Sequence, residues 1–328
     1  MTPARAEQGA LGGAGNLGGV ASNPESLVTA VVAGDRWALA RLITLVEEDH
    51  VGAGEALRAA FGAATPSHRI GITGAPGAGK STISDGIIRE VRARGDRVAV
   101  LAVDPTSPFS GGAVLGDRVR MQDHVLDAGV FIRSMATRGH LGGLSAAAPK
   151  ALVVLEAAKY PWILIETVGV GQDEVEVTAA ADTVVVVVTP GWGDGIQAAK
   201  AGILEIGDVF VVNKSDRPGA ADAVADLRAM LGLAPAMDWV PPIVETVAST
   251  GSGVPELWAA VLAHRDHLGE AGVEARRRQR RRLELETALA AEMHRQARDL
   301  AGSVPEVLAA VQRGELDPWT AALRLSGS

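Results

Sequence analysis

The sequence predicts an α/β fold in which helices cover both faces of a mostly parallel β-sheet. Short runs of β-branched residues alternate with helical segments from about Arg69 to Leu268, and this alternation is typical of parallel strands joined by helical crossovers. Several of the runs are apolar almost throughout, as strands buried on both faces must be. One run leads into a glycine-rich turn that ends in Gly-Lys-Ser, a pattern typical of P-loop NTPases.

The composition is that of a globular protein. Of the 328 residues, 47% are hydrophobic and 21% are charged. The net charge of −8 gives no indication of a nucleic-acid partner. The chain has no cysteine, so disulfides and Cys-ligated metal sites are excluded. The longest apolar run is far shorter than the roughly 20 residues of a membrane span. We therefore expect a cytoplasmic protein that binds neither membrane nor nucleic acid.

Four segments follow from the pattern along the chain. Residues 1–23 are rich in Gly and Ala and are expected to form a flexible tail. Residues 24–66 are predicted to be a helical extension, because apolar residues recur every three or four positions and Asn23 is a candidate N-cap. Residues 67–268 carry the P-loop domain, and residues 269–328 are predicted to form a helical arm without strands.

Seven strands are predicted within the P-loop domain. They are Ile70–Thr73, Val98–Val103, Val130–Arg133, Trp162–Glu166, Thr183–Val188, Val209–Asn213 and Ile243–Val247.

The strongest motif is Gly74-Ala75-Pro76-Gly77-Ala78-Gly79-Lys80-Ser81, followed by Thr82. It lies between a predicted strand and a predicted helix, which is the context that this motif requires. Glycines let the backbone N–H groups converge on a phosphate chain, and the following helix adds its positive end. Lys80 is then expected to reach the β- and γ-phosphates, and the Ser81 hydroxyl to take one Mg²⁺ position.

A second motif, Asn213-Lys214-Ser215-Asp216, follows a predicted strand. The Asp216 carboxylate can accept hydrogen bonds from both N1–H and the exocyclic amine of guanine. Adenine offers no such pair of donors, so ATP would leave the carboxylate unpaired. The sequence therefore predicts selection of GTP.

Acidic residues near other strand ends are candidates for the Mg²⁺ side of the site. Glu166 ends a predicted strand, where most GTPases have Asp, and Gly169 can offer its N–H to the γ-phosphate. Asp104 and Asp117 are further candidates, although each is also compatible with an N-cap or a turn.

The group that positions the attacking water is less well defined. Ras-like GTPases have a glutamine directly after this glycine, whereas here Val170 follows Gly169. Gln172 is the nearest residue that could orient the water. This arrangement predicts slow unassisted hydrolysis. Four arginines are candidates for stabilising transition-state charge, and the sequence does not choose among them: Arg118, Arg120, Arg133 and Arg138.

Arg276–Arg282 contains six arginines at the start of the predicted arm. Such a run predicts a solvated helix face. The alternative is a salt-bridged face that contacts a dimer mate or another partner.

Together these segments resemble the MeaB/ArgK-type GTPases, whose human relative serves methylmalonyl-CoA mutase. The residues that carry the resemblance are Gly71–Thr82, Val103–Arg118, Arg138–Gly143, Glu166–Gln172 and Asn213–Asp216. One departure is Val247-Ala248-Ser249, where the family usually has Ser-Ala-x in the loop that meets the guanine oxygen. The backbone N–H groups of Ala248 and Ser249 remain able to contact that oxygen.

The resemblance implies a G-protein chaperone of an adenosylcobalamin-dependent acyl-CoA mutase, with GTP and GDP as substrate and product. Its Mg²⁺ and switch roles carry over to Ser81, Asp104, Asp117 and Glu166. It also implies that Gly191–Lys200 signals to the mutase and that the arm forms a homodimer.

Three alternatives remain. A nickel-insertion GTPase would rely on Cys- or His-rich metal sites, whereas this chain has no Cys and scattered His. A small-molecule P-loop kinase would explain Lys80 and Asp104 but not the guanine motif. A scaffold that binds nucleotide without hydrolysis is disfavoured because the Mg²⁺-side positions are filled.

Overall fold

The computed structural model describes residues 23–104, 122–124, 126–136, 147–167, 179–191, 206–233 and 237–327. Its strands are β1 (His68–Gly74), β2 (Val98–Asp104), β3 (Val130–Ala136), β4 (Trp162–Thr167), β5 (Thr183–Val188), β6 (Val209–Asn213) and β7 (Ile243–Thr246). They form one sheet with the order β3-β2-β4-β1-β5-β6-β7, and every pair is parallel. The predicted α/β class is confirmed.

Helices cover both faces of this sheet, as predicted. On one face, α4 (Lys80–Ala93) packs against the sheet beside the first half of α7 (Val254–Ser303). On the other face, α5 (Ala148–Ala157) covers the β2–β4 side and α6 (Ala220–Leu233) covers β5 and β6. The central strands β1 and β5 are buried along their whole length, and in β5 this burial on both faces explains the continuous run of five valines.

The N-terminal extension forms three helices, α1 (Pro24–Val32), α2 (Arg36–Glu47) and α3 (Ala53–Ala63), which pack on α5. Asn23 is the N-cap of α1, as predicted, because its side chain accepts a hydrogen bond from the Glu25 N–H. Arg133 of β3 donates to Glu47 (2.6 Å) and Thr44 (3.1 Å) of α2. Arg133 is therefore part of this packing, and its candidacy as a transition-state arginine was wrong.

The arm continues directly from the P-loop domain, because α7 contains both the end of the domain and the start of the arm. Non-helical backbone angles at Gly269 (φ 56°, ψ −175°) interrupt α7 at the predicted start of the arm. Two short helices, α8 (Pro305–Gln312) and α9 (Pro318–Ser326), follow it. Several large apolar side chains of the arm are exposed, including Leu285, Leu289, Met293, Trp319 and Leu323.

Arginines of the run at the start of the arm bind aspartates that precede two central strands. Arg276 makes a bidentate contact with Asp208 (2.8 Å for both bonds), and Arg280 contacts Asp182 at 2.9 Å. Arg280 and Asp182 are both buried. For Arg276 and Arg280, the predictions of a solvated face and of an intermolecular contact were therefore both wrong. The run alternates inward and outward positions along the helix, and the sequence does not show which side faces the domain.

A chain of buried polar side chains supports this arginine–aspartate cluster. His264 Nε2 lies 3.2 Å from Asp208, and its Nδ1 lies 2.9 Å from the Thr183 hydroxyl, which also contacts His68 at 2.8 Å. Burial lowers the pKa of His68 to about 4, so this imidazole is neutral at pH 7. Burial opposes the charge of Asp208, but hydrogen bonds from Arg276 and His264 outweigh it and lower the pKa of Asp208 to about 2. Asp208 therefore remains a charged acceptor for Arg276.

We expect Arg280→Met to lower the free energy of unfolding by about 3–5 kcal/mol, because it leaves the Asp182 carboxylate buried without its cationic partner. Urea unfolding followed by tryptophan fluorescence measures this change. Arg282→Met is the matched control, since Arg282 belongs to the same run but is 81% exposed and contacts Glu286 on its own helix. Equal losses in the two variants would contradict the role assigned to the buried pair.

Within the described ranges, no helix combines the length and the apolar character needed to cross a lipid bilayer.

Candidate nucleotide site

The carboxyl ends of four parallel strands meet at one edge of the sheet. β1 ends at Gly74, β4 carries Glu166, β6 ends at Asn213 and β7 ends at Thr246. Ligands of open α/β sheets bind in the crevice outside these carboxyl ends. The residues of the two strongest predicted motifs are thus brought together, although they are more than a hundred positions apart in the sequence.

The loop from Gly74 to Gly79 joins β1 to α4, and its glycines adopt backbone angles that other residues disfavour. The φ angles are 136° at Gly74, 74° at Gly77 and 96° at Gly79. A Cβ at Gly74 would overlap the Val187 carbonyl, and one at Gly79 would overlap the Asn213 amide. Ala75, Pro76 and Gly77 are exposed. The result is an open turn of backbone at the N-terminus of α4, which suits a phosphate chain.

Lys80 is the first residue of α4, and its side chain folds back over this loop. Its Nζ donates to the carbonyl oxygens of Gly74 (2.6 Å) and Ala75 (3.2 Å), and the side chain is buried. The ammonium therefore lies against the same loop that would hold the phosphates. Thr82, two residues further along α4, is half-buried.

The side chain of Glu166 reaches from β4 to α4 and contacts two serines. Its Oε1 accepts from the Ser81 hydroxyl at 2.5 Å, and its Oε2 accepts from the Ser84 hydroxyl at 2.9 Å. All three side chains are buried. The sequence predicted Ser81 and Glu166 as partners at a metal site but missed Ser84. The signal was its spacing, because residues three apart on a helix lie on the same face.

The guanine motif is tied to the phosphate loop by two side chains. Asn213 donates to the Ala78 carbonyl at 2.8 Å, and Lys214 donates to the Gly77 carbonyl at 2.7 Å. Lys214 has a φ of 60°, an uncommon conformation for a non-glycine residue. Asp216 lies in the exposed turn that follows. This arrangement leaves the Asp216 carboxylate accessible to a base while its neighbours hold the phosphate loop.

The loop after β7 also contacts Asn213. Asn213 Oδ1 accepts hydrogen bonds from the Thr246 hydroxyl and the Ala248 N–H, both at 3.1 Å. Of the two N–H groups expected near the guanine oxygen, that of Ala248 is thus donated to Asn213 in this structure. Val247 is hydrogen-bonded to Ser252, and Ser249 is exposed.

Several predicted site residues lie outside the described part of the chain. They are Asp117, Gly169, Gln172 and the residues after Gly191 up to Lys200, together with the side chain of Asp104, whose backbone ends β2. The described residues contain no cluster of three His, Asp or Glu side chains placed to hold a metal ion. Of the four predicted Mg²⁺ ligands, Ser81 and Glu166 have side chains within the described residues.

Comparison with known proteins places this geometry in a family. Residues 39–301 match the family described as Methylmalonyl Co-A mutase-associated GTPase MeaB. A protein of Pyrococcus horikoshii is 47% identical over 303 residues, which are 91% of this chain and 96% of the relative. GTPase ArgK of Escherichia coli is 36% identical over 249 residues, 73% of this chain and 75% of the relative.

Two further matches agree with this. The mitochondrial methylmalonic aciduria type A homolog of Caenorhabditis elegans is 35% identical over 277 residues, 78% of this chain and 69% of the relative. A crystal structure of an LAO/AO transport system kinase superposes with a TM-score of 0.67 at 26% identity, covering 93% of this chain and 97% of that one. The chain is a GTPase that belongs to the MeaB family of methylmalonyl-CoA mutase-associated GTPases.

Proposed function

We propose that this GTPase is a chaperone that gates cofactor loading and protects or reactivates an adenosylcobalamin-dependent acyl-CoA mutase, with GTP hydrolysis as its timing step. The family match carries this proposal, because the matched family is described by its association with methylmalonyl-CoA mutase. The C. elegans relative bears the name of a methylmalonic aciduria protein, which agrees with it.

The nucleotide is proposed to bind along the glycine loop. The loop of residues 74–79 surrounds the phosphates with backbone N–H groups, which Pro76 alone lacks, and Lys80 adds a positive charge beside them. Gly169 is proposed to contribute a further N–H. Asp216 reads the guanine edge, and Asn213, Lys214 and the loop of Val247, Ala248 and Ser249 frame the base.

Ser81 and Glu166 are proposed as residues that would hold Mg²⁺, with Asp104 and Asp117 as further ligands. Oxygen donors are the ligands that Mg²⁺ prefers, and the close contact of Ser81 with a buried carboxylate fits such a site. The metal would neutralise charge on the β- and γ-phosphates. The chain's own residues position the phosphates and supply the charge of Lys80.

Slow intrinsic hydrolysis follows from the proposed position of the attacking water. Gln172 is the candidate for orienting it, and Val170 occupies the place directly after Gly169. Efficient turnover then requires a partner that rearranges this segment or brings an arginine to the γ-phosphate.

The arm is proposed to form a homodimer. Its exposed apolar side chains are spaced along α7 at positions 285, 289, 293 and 300, and Trp319 of α9 is 78% exposed. A stripe of this kind on one helix face supports a protein contact.

We expect an adenosylcobalamin-dependent acyl-CoA mutase from the same cell to accelerate GTP hydrolysis by about tenfold or more. An arginine supplied by a partner is worth roughly 10³–10⁵ in other GTPases, and rearrangement alone should give less. The measurement is phosphate release with and without the mutase.

A second test uses Trp192→Ala, a change in the segment proposed to signal to the mutase. This variant should retain GTP affinity and basal hydrolysis but lose most of the stimulation. Absence of both stimulation and complex formation with every such mutase of the host would contradict the chaperone role and leave the GTPase activity intact.

A further inference from the structure

The carboxylate of Glu166 is held at both oxygens by hydroxyl groups of α4. The Ser81 hydroxyl contacts Oε1 at 2.5 Å, and the Ser84 hydroxyl contacts Oε2 at 2.9 Å. Ser84 has no exposed surface, and Glu166 is only 1% exposed. A buried carboxylate is costly unless its oxygens are hydrogen-bonded, and the two hydroxyl groups supply one hydrogen bond to each oxygen of Glu166.

The two serines have different places relative to the phosphate loop. Ser81 is the second residue of α4 and adjoins the loop, whereas Ser84 lies nearly one turn further along the helix. Oε1 therefore faces the nucleotide end of the site, and Oε2 faces the interior.

The proton of Ser84 has two acceptors within reach. The Lys80 carbonyl lies at 3.1 Å and Glu166 Oε2 at 2.9 Å. A single hydroxyl proton serves one acceptor well, and the charged carboxylate forms the stronger hydrogen bond. Ser84 is thus a donor to Glu166 that does not depend on Ser81.

We infer that Ser84 is a positioning residue that keeps Oε2 of Glu166 occupied, so that the carboxylate offers only Oε1 to a divalent cation. This inference rests on the proposed Mg²⁺ site. A carboxylate restricted to one oxygen suits Mg²⁺, which takes six ligands in strict octahedral geometry. Ca²⁺ takes six to eight oxygens and often binds both oxygens of a carboxylate. Ser84 therefore favours Mg²⁺ over Ca²⁺.

The test measures cation binding to the full-length GDP complex without using hydrolysis. Mn²⁺ is titrated into the complex and followed by the EPR signal of the free ion, and Mg²⁺ and Ca²⁺ are then used as competitors. We expect Ser84→Ala to weaken Mg²⁺ binding by about 10–100-fold, the usual cost of losing a group that orients a metal ligand. Ca²⁺ binding should fall less, so that the preference for Mg²⁺ drops about tenfold.

Ser67→Ala is the matched control. The Ser67 hydroxyl is buried and contacts a carboxylate oxygen of Glu156 at 3.1 Å, but it precedes β1 at the opposite edge of the sheet. This variant should retain the parent's cation preference. Ser84→Cys provides a second variant of nearly the same size with a weaker donor, and it should shift the preference in the same direction as Ser84→Ala.

An unchanged preference for Mg²⁺ in Ser84→Ala and Ser84→Cys, with a parent that binds Mn²⁺, would overturn the role of Ser84 alone. An equal shift in Ser67→Ala would do the same, because it would show a general effect on the fold. A parent GDP complex that binds no Mn²⁺ would overturn the proposed metal site and this inference with it.

Discussion

Replacing Lys80 with alanine is expected to slow GTP hydrolysis by at least about 10²–10³-fold, the usual cost of removing one preorganised charge-stabilising donor. The Lys80 ammonium is buried and bonded to the carbonyl oxygens of Gly74 and Ala75, so it is already held against the loop before nucleotide arrives. It costs little reorganisation when charge develops on the phosphates. The measurement is single-turnover phosphate release at saturating GTP, which separates the chemical step from weakened binding.

Lys150→Ala is the matched control for this change. Lys150 is a lysine of α5 that is about one-third exposed and contacts Asp49 at 3.4 Å, far from the phosphate loop in the sequence. It should hydrolyse GTP at the parent rate. A Lys80→Ala variant that folds, binds GTP and turns over like the Lys150→Ala control would show that the glycine loop is not the phosphate site.

The centre of the sheet could be predicted from the sequence because strands there are buried on both faces. A strand such as Thr183–Val188 must be apolar throughout to lie between two helical layers, and no amphipathic helix has that pattern. The predicted strand ends were less accurate. For example, β3 was predicted to end at Arg133 but continues to Ala136. Strand ends depend on pairing with neighbours, which a local pattern does not contain.

The arginine run shows what local patterns miss. Arg276 and Arg280 are charged residues in a run that is mostly exposed, and only their partners Asp182 and Asp208 explain why they face inward. Those partners are about 70–100 residues away in the sequence. An argument from charge patterning considers one helix at a time. It therefore predicts that every arginine side chain in the run is exposed to solvent.

The sequence predicted those residues of the candidate site that belong to motifs of consecutive residues. The segments from Gly74 to Ser81 and from Asn213 to Asp216 are each continuous in the sequence and follow the end of a strand, and the parallel sheet brings both to the same edge. Ser84 was missed because its role depends on Glu166, which lies on another strand. A serine inside a helix has no distinctive pattern until its acceptor is known.

Asp216→Asn is expected to lower GTP affinity by about a hundredfold or more. A carboxylate that accepts two hydrogen bonds from guanine contributes about 1.5–3 kcal/mol for each, and the amide presents a donor to one of the two guanine donors. Xanthine has a carbonyl oxygen where guanine has its exocyclic amine, so the asparagine amide can donate to it. The same variant should therefore bind xanthosine triphosphate better than the parent does. Competition against a fluorescent guanine nucleotide measures both affinities.

Asp222→Asn is the matched control for this reversal, because Asp222 is an exposed aspartate in the first turn of α6, which directly follows the guanine motif. It carries the same change of charge, so any loss of affinity that it shares with Asp216→Asn is an effect of net charge alone. Only the variant at 216 should exchange GTP for xanthosine triphosphate. If neither variant changes base preference, the Asp216 carboxylate does not read the base. The exposed turn that Lys214 and Asn213 tie to the phosphate loop would then serve only to hold that loop in place.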